Sequence, residues 1–411
     1  MEKITSGDFA SPEMMRDFIA FYKRLAGQQE PLYRLDDFFG MGGAWVAFRH
    51  DDVATILKDP RFVKDMRKFA PSQVQRESDQ EIASASKFME WTKRMPNMLM
   101  ADPPDHTRLR RLASKAFTPR KIEDMRPRIQ QIADELLDAV QERGRMDLIA
   151  DFAYPLPITV ISEMLGIPAA DRDRFREWIR KFWNASLDDP NQADTVGEVL
   201  DEFTEYFKAL LAEKRAHPGN DVTSGLLQAH DKGDQLSENE LLSTIWLLML
   251  AGHETTVNLI GNGTLALLQH PEQMRLLRSD PSLLPSAVEE LLRYAGPVMI
   301  ASRFASEDII MHGKEIRKGE MVLVSLAGAN RDPHQFSNPE ALDITREENE
   351  HLAFGKGIHQ CMGAPLARLK GQIVFGTLLQ RLPHLRLAVA PEQLTYHRNT
   401  MRSLTSLPVL F

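Results

Sequence analysis

Hydrophobic positions recur at helical spacing through the middle of the chain, from His106 to about Leu284. Apolar residues return every three or four positions over this stretch, which predicts a succession of amphipathic α-helices. After Gly296 and Pro297 the pattern changes to an alternation of β-branched and polar residues around two glycines, and such alternation indicates short hairpins. The pattern therefore predicts a mainly α fold with small β-sheets.

The N-terminal part of the chain mixes short elements. Residues 1 to about 30 carry helical signals, and residues 45–50 (WVAFRH) predict a strand that leads into a helix over residues 51–57. The polar stretch 72–94, followed by the Met-rich stretch 95–100, is typical of a long loop.

The chain is predicted to form a single domain over residues 1–411, because no Gly/Ser/Pro-rich linker, repeat or low-complexity tract divides it. Its parts are an α-rich middle over about 100–295, a small β region over about 298–345 and a glycine-rich loop over 354–363.

Composition narrows the class of protein. The 411 residues are 43% apolar and 26% charged, which is ordinary for a soluble globular protein. The single cysteine excludes an intramolecular disulfide, and the net charge of −8 argues against nucleic acid as a partner. The most apolar window, residues 241–252, is shorter than the roughly 18–20 residues that span a bilayer. Since the N-terminus lacks a signal-peptide pattern, we expect a cytoplasmic protein without a membrane partner.

The cysteine, Cys361, lies in a segment that contains three glycines, residues 354–363 (FGKGIHQCMG). The glycines permit a tight loop, and the helical spacing that begins at Ala364 places the sulfur just before a helix N-terminus. Loop amides and the helix dipole would stabilise a thiolate there. Taken alone, the segment fits either a reactive or metal-binding thiol or an inert buried cysteine in a glycine turn.

A long helix is predicted to begin near Glu238 and to continue past Leu267, because Ser237 and Glu240 form a capping box before an apolar run. Its centre holds residues 251–256 (AGHETT), where a charged group is costly unless it is used. Glycine and threonine there predict a locally opened helix. The alternative is a solvated glutamate and a capping threonine at a helix break.

Both segments resemble motifs of the cytochrome P450 family of haem-thiolate monooxygenases. Phe-Gly-x-Gly-x-His-x-Cys-x-Gly is similar to the family's haem-binding loop, and Ala-Gly-His-Glu-Thr-Thr is similar to its oxygen-activation motif. The resemblance implies haem b buried between the long helix and the loop, with Cys361 as the iron ligand and Phe354 and Gly355 beside it. It implies that Thr255 orders water and that Glu254 relays protons.

Further positions match the family pattern in the same order along the chain. Glu290 and Arg293, with Arg346, match its structural salt-bridge network. The resemblance also implies donors to the haem propionates: His106, Arg110, Arg303 and His359. If the haem lies between the long helix and the loop, a mostly apolar substrate pocket is expected, although the sequence alone favours ordinary core for any single one of its residues: Met98, Leu99, Leu247, Leu248, Ala251, Val298, Met299, Thr400 and Met401.

The resemblance implies a monooxygenase that uses O2 to hydroxylate or epoxidise an apolar polyketide, macrolide, steroid, terpenoid or fatty-acid-like substrate. Because the haem domain uses the whole length, electrons are expected from a separate ferredoxin or flavodoxin with its NAD(P)H-dependent reductase. Arg108, Arg111 and Lys115 share a helix face that could attract an acidic carrier, extended by Lys356 and Arg368. Two alternatives stay open: an H2O2-driven peroxygenase, and a non-catalytic haem sensor or carrier.

Overall fold

The computed structural model describes most of the chain. The described ranges are 4–26, 30–38, 42–65, 94–115, 117–184, 192–231, 236–397 and 401–411. The predicted loop over residues 72–94 lies outside the described residues except for Arg94, and so does Thr400.

The chain forms two compact units that alternate along the sequence. The first unit contains residues 1–63, 122–157 and 254–411, and the second contains residues 64–121 and 158–253. The prediction of a single domain over residues 1–411 stays a prediction.

The sheets belong to the first unit. The largest has five strands in the order β1-β2-β8-β5-β3, and its β2–β8 pair is parallel whereas its other pairs are antiparallel. A three-stranded sheet has the order β4-β10-β9, and β6 pairs with β7 as a hairpin. The strands are β1 Leu32–Leu35, β2 Ala44–Ala47, β3 Phe62–Val63, β4 Arg145–Asp147, β5 Ile300–Ala305, β6 Ile309–Met311, β7 Lys314–Ile316, β8 Met321–Ser325, β9 Arg386–Leu387 and β10 Pro408–Leu410.

The helices dominate both units, and the long one runs from the second unit into the first. They are α1 Pro12–Arg16, α2 Phe18–Ala26, α3 His50–Lys58, α4 Asp105–Ser114, α5 Pro119–Glu123, α6 Arg126–Gln141, α7 Pro155–Leu165, α8 Arg172–Asn184, α9 Gln192–Ala216, α10 Val222–Asp231, α11 Glu238–Gln269, α12 Pro271–Ser279, α13 Leu284–Ala295, α14 Leu326–Ala329 and α15 Ala364–Arg381.

Each unit has its own core. In the first, α15 packs along α6 and α13, and its buried leucines and Phe375 fill the space between them. In the second, edge-to-face aromatic pairs join α8, α9 and α11, where Phe203 lies 6.0 Å from Trp178 and 4.8 Å from Trp246 between ring centroids.

The predicted long helix is confirmed. The amide of Ser237 donates to Oε2 of Glu240 at 2.8 Å, and the amide of Glu240 donates to Oγ of Ser237 at 3.2 Å, so the capping box closes reciprocally. The predicted local opening at residues 251–256 is wrong, because α11 is continuous through them. Gly252 instead allows close packing: a Cβ there would lie 3.0 Å from Cδ1 of Ile161.

The β region is shorter than predicted. Its strands lie between Ile300 and Ser325, whereas the prediction extended to about residue 345. The hydroxyl of Ser325 accepts the amide of Gly328 at 3.1 Å and so caps the short helix α14. Turns with prolines at positions 333 and 339 follow this helix.

Within the described ranges, no helix is long and apolar enough to cross a membrane.

Candidate haem site

The cysteine loop is built by glycine backbone conformations. Gly355 and Gly357 have φ of 68° and 76°, a region that favours glycine. A Cβ on Gly357 would lie 3.2 Å from the carbonyl carbon of Leu57, so a side chain does not fit there. The amide of Cys361 donates to the carbonyl of Phe354 at 2.9 Å, which closes the loop, and α15 begins at Ala364. The side chain of Cys361 is exposed at this turn.

An ion-pair cluster holds the loop against α13. Arg368 donates from Nε and Nη2 to the two carboxylate oxygens of Glu289 at 2.7 Å each, and its guanidinium lies 4.8 Å from the ring centroid of Phe354. Nε2 of His351 lies 3.1 Å from the same carboxylate. Burial alone would raise the pKa of Glu289, but the bonds from His351 and Arg368 outweigh it and lower that pKa to about 2.

The acid of the α11 motif is buried and hydrogen-bonded within the first unit. Oε1 of Glu254 lies 3.1 Å from Oγ of Ser403 and 3.3 Å from Nδ2 of Asn258, and the residue is 9% exposed. Burial raises the pKa of Glu254, and the bonds from Ser403 and Asn258 oppose that rise. Thr255 follows it on the helix and is half-buried.

Helix α4 carries two of the predicted propionate donors in the second unit. His106 is 2% exposed and Arg110 is half-buried, one helical turn apart. Burial lowers the pKa of His106, Arg110 lowers it further, and Asp102 raises it. The structure therefore places the two side chains on one face, as the spacing predicted.

The other two predicted donors belong to the first unit. Arg303 lies in β5, between β8 and the edge strand β3, and is 3% exposed, and its Nη1 donates to the carbonyl of Ser302 at 2.8 Å. His359 ends a short turn of 3-10 helix, Gly357–His359, and is half-buried.

The predicted pocket residues divide between the units. Leu99 is 46% exposed in the second unit, Ala251 of α11 is also exposed there, and Leu248 is buried. The remaining second-unit residues, Met98 and Leu247, are half-buried. In the first unit Met401 pairs with Val298 in a β-bridge, and Met299 is 3% exposed in the hydrophobic core.

The Glu290 network is assembled as the sequence pattern indicates. Arg293 donates to both carboxylate oxygens of Glu290 at 2.7 Å, and neither side chain is exposed. Nε of Arg346 donates to Oε2 of Glu290 at 3.2 Å. These three residues stabilise the chain segment that precedes the cysteine loop, since Arg293 also donates to the backbone carbonyls of Asn330, Pro339 and Ala341.

Ser403 and Glu289 were missed by sequence reasoning. Ser403 is 149 positions from Glu254, and Glu289 is 79 positions from Arg368, so helix spacing does not relate either pair. The only available signal was that Glu289 directly precedes the Glu-x-x-Arg pattern.

The side chains present fit a haem. The loop exposes a sulfur and, at its rim, Ile358, an apolar side chain that is 50% exposed. Thiolate sulfur is an established axial ligand of haem iron, and histidine and arginine donors suit propionate carboxylates. Cys361 would hold the iron, while Arg303 and His359 supply donors from the same unit.

A mainly helical fold with small sheets, a cysteine loop and an acid–alcohol pair on a long helix together indicate a haem-thiolate protein. The family model for "Cytochrome P450" matches residues 153–406, more than half of the chain. The chain is 67% identical over 411 residues to cytochrome P450 CYP107DY1 of Priestia megaterium, covering 100% of both. It is 43% identical to the polyketide biosynthesis cytochrome P450 PksS of Bacillus subtilis, covering 93% of each chain.

Solved structures support the same family assignment. The myxobacterial cytochrome P450 CYP267B1, crystallised with myristic acid, superposes with a TM-score of 0.90 at 43% identity, covering 98% of each chain. The chain therefore belongs to the cytochrome P450 family. It is an oxidoreductase, a cytochrome P450 monooxygenase, and its cofactor is haem b.

Proposed function

We propose that this monooxygenase hydroxylates or epoxidises an apolar organic molecule of polyketide, macrolide or fatty-acid type and receives electrons from a separate ferredoxin or flavodoxin. The observation that carries the proposal is the exposed sulfur of Cys361 on a glycine-built loop directly before α15. The polyketide context of PksS and the myristic acid bound to CYP267B1 support the substrate class.

The proposed roles follow from the chemistry of each side chain. Bound haem supplies the activation of O2 and the insertion of one oxygen atom. Cys361 contributes an anionic sulfur, which increases electron density at the iron. Thr255 contributes a hydroxyl that orders water beside the helix. Burial raises the pKa of Glu254, which favours the protonated form of its carboxyl, and that carboxyl can pass a proton to this water.

For electron delivery we propose the exposed basic residues of α4 and α5 as the docking surface. The predicted patch is altered by the structure, because Arg108 pairs with Glu240 and Arg368 pairs with Glu289. Arg111 on α4 and Lys115 directly after α4 are exposed, and Nζ of Lys121 donates to the carbonyl of Lys115 at 3.2 Å, so α5 adds Arg120 and Lys121 to the same surface. Such a patch increases the association rate of an acidic carrier.

The experiment compares wild type with Cys361→Ser in the reduced, CO-bound state. We expect the strongly red-shifted Soret band of thiolate ligation in wild type and its loss in the variant. The wild type is then titrated with myristic acid and with a macrolide library, where displacement of the distal water shifts the Soret band to the blue.

Turnover assays with different electron or oxygen sources distinguish the monooxygenase from the two alternatives, a peroxygenase and a non-catalytic haem sensor or carrier. Product formed with NADPH, a bacterial ferredoxin and its reductase supports the monooxygenase. Rapid turnover with H2O2 but none with the ferredoxin would assign a peroxygenase, and a haem that binds no compound would assign a sensor or carrier.

A further inference from the structure

One face of α11 carries three buried polar residues at successive turns. They are Glu254, Asn258 and Asn262, at 9%, 2% and 2% exposure. All three contact the segment that contains Arg402 and Ser403. Oγ of Ser403 lies 3.1 Å from Oε1 of Glu254 and 3.0 Å from Oδ1 of Asn258. Nδ2 of Asn258 lies 3.3 Å from the same Oε1, so the three side chains form a closed triangle.

The hydrogens of this triangle can be counted. A serine hydroxyl has one hydrogen to donate and lone pairs to accept, whereas the side-chain oxygen of Asn258 only accepts. When Glu254 is ionised, the hydroxyl of Ser403 donates to the carboxylate. When Glu254 is protonated, the carboxyl O–H donates to Oγ of Ser403, whose hydrogen turns to Oδ1 of Asn258. The carboxyl of Glu254 therefore keeps Ser403 as a hydrogen-bond partner in both protonation states with the same positions of the heavy atoms, and Oδ1 of Asn258 accepts the hydroxyl hydrogen only when Glu254 is protonated.

The serine is held in place without Glu254. The amide of Arg402 donates to the carbonyl of Pro297 at 2.9 Å, and the carbonyl of Ser403 accepts the amide of His397 at 2.9 Å. Nδ2 of Asn262 donates to the carbonyl of Arg402 at 2.8 Å, which joins the segment to α11 one turn beyond Asn258. These bonds hold the backbone of Arg402 and Ser403 independently of Glu254, so the site of the Ser403 hydroxyl is preorganised.

We propose that Ser403 is the positioning residue for Glu254: its hydroxyl keeps the carboxyl at one place on α11, whether or not the carboxyl carries a proton, by rotating a single hydrogen. This proposal rests on the proposed function of Glu254 as the proton source. A relay acid must return to the same geometry after each proton it gives, and a carboxyl that lost its partner on ionisation would turn away or take up water.

The test uses the haem-loaded enzyme with three variants. Ser403→Ala removes the hydroxyl, Ser403→Thr retains it, and Thr405→Val removes an exposed hydroxyl from the same segment, where it donates to the carbonyl of Thr395 at 3.1 Å. The assays are product and H2O2 formed per NADPH with the compound that gives the largest Soret shift, and the solvent deuterium isotope effect on NADPH consumption.

We expect Ser403→Ala to form about tenfold less product per NADPH, the effect of one hydrogen bond to a charged group. It should release the difference as H2O2 and show a larger isotope effect. Ser403→Thr should recover most of the coupling, and Thr405→Val should match wild type. Coupling and isotope effect unchanged in Ser403→Ala would overturn the proposal, as would equal losses in the Ala and Thr variants.

A spectroscopic readout is independent of turnover. CO photolysis from the reduced haem gives an infrared difference spectrum in which the carboxyl band of Glu254 is assigned by its absence in Glu254→Gln. We expect this band to shift in Ser403→Ala and to return towards its wild-type position in Ser403→Thr; an unmoved band refutes the positioning role. If Ser403→Ala does not retain haem, Ser403→Cys gives the same comparison with a weak donor of similar size. A wild type that fails to turn over would disprove the proposed function instead.

Discussion

Arg293→Met should be far more damaging than an ordinary arginine substitution. Arg293 makes five hydrogen bonds: two to Glu290 at 2.7 Å and one each to the carbonyls of Asn330, Pro339 and Ala341 at 3.0, 2.8 and 2.8 Å. Its side chain and that of Glu290 are fully buried. Methionine retains much of the volume but leaves a buried carboxylate without its main cation.

The magnitude follows from the buried carboxylate of Glu290, which loses its main cation and keeps the longer bond from Arg346. Removing one partner of a buried ion pair costs about 3–5 kcal/mol when the remaining charge is uncompensated, so with Arg346 still present we expect a cost near the lower value, about 3 kcal/mol. With a urea m-value of about 3 kcal/mol/M, the unfolding midpoint should fall by about 1 M. Since the three carbonyls belong to the chain that leads into the cysteine loop, the reduced CO complex should also lose its thiolate band at lower urea than wild type.

The assay is urea unfolding followed by far-UV circular dichroism and by the CO spectrum, with two comparison variants. Arg180→Met breaks an Arg–Glu pair of similar spacing, with Nη2 of Arg180 2.7 Å from Glu177, but this pair is exposed and we expect no measurable shift. Glu290→Gln combined with Arg293→Met removes the buried negative charge and should recover part of the loss. An Arg293→Met midpoint equal to that of Arg180→Met would refute the reasoning.

Four further predictions concern the site. Thr255→Ala should retain haem and substrate binding but release H2O2, and product per NADPH equal to wild type would remove Thr255 from the mechanism. The lowered pKa of Glu289 stabilises the fold above its unfolded pKa of about 4.5, and this contribution is lost as pH falls towards 2; Glu289→Gln should therefore flatten the acid limb of a stability–pH profile, which thermal melts would show. Gly357→Ala should weaken haem retention, measured by haem transfer to apomyoglobin, because its φ of 76° is strained for alanine. Arg111→Glu with Lys115→Glu should slow reduction by an acidic ferredoxin and leave reduction by dithionite unchanged; an unchanged ferredoxin rate at low salt would place docking elsewhere.

Local features of the fold were predictable from the sequence. The capping box at Ser237 and the apolar run after it set the start of α11, because both act within a few residues. Positive φ at Gly355 and Gly357 was likewise predictable, since glycine repeats before a helix favour a tight loop. The Glu290–Arg293 pair follows from i, i+3 spacing on one helix face.

Features that depend on tertiary packing were not predictable. Ser403 belongs to a segment outside the described strands, between Met401 and β10, where no periodicity marks one serine from another. The prediction that α11 opens locally at residues 251–256 was wrong because it, too, took no account of tertiary packing. Glycine in a helix indicates weakness when considered alone, but Gly252 receives the side chain of Ile161, and that contact is known only once α7 is in place.

The same distinction between local sequence pattern and tertiary packing applies to the predicted positive patch. Residues of like sign on one helix face predict a positive patch only if tertiary contacts leave them unpaired, and Arg108 and Arg368 both pair with glutamates. The pairing of Arg368 joins the cysteine loop to α13, because Arg368 contacts both Glu289 and Phe354. The net charge of −8 does not by itself exclude the docking of an acidic carrier, because docking depends on the charges close to the contact surface. Within a Debye length of about 8–10 Å, an approaching protein responds to the exposed cations of α4 and α5 more strongly than to the charge of the whole molecule.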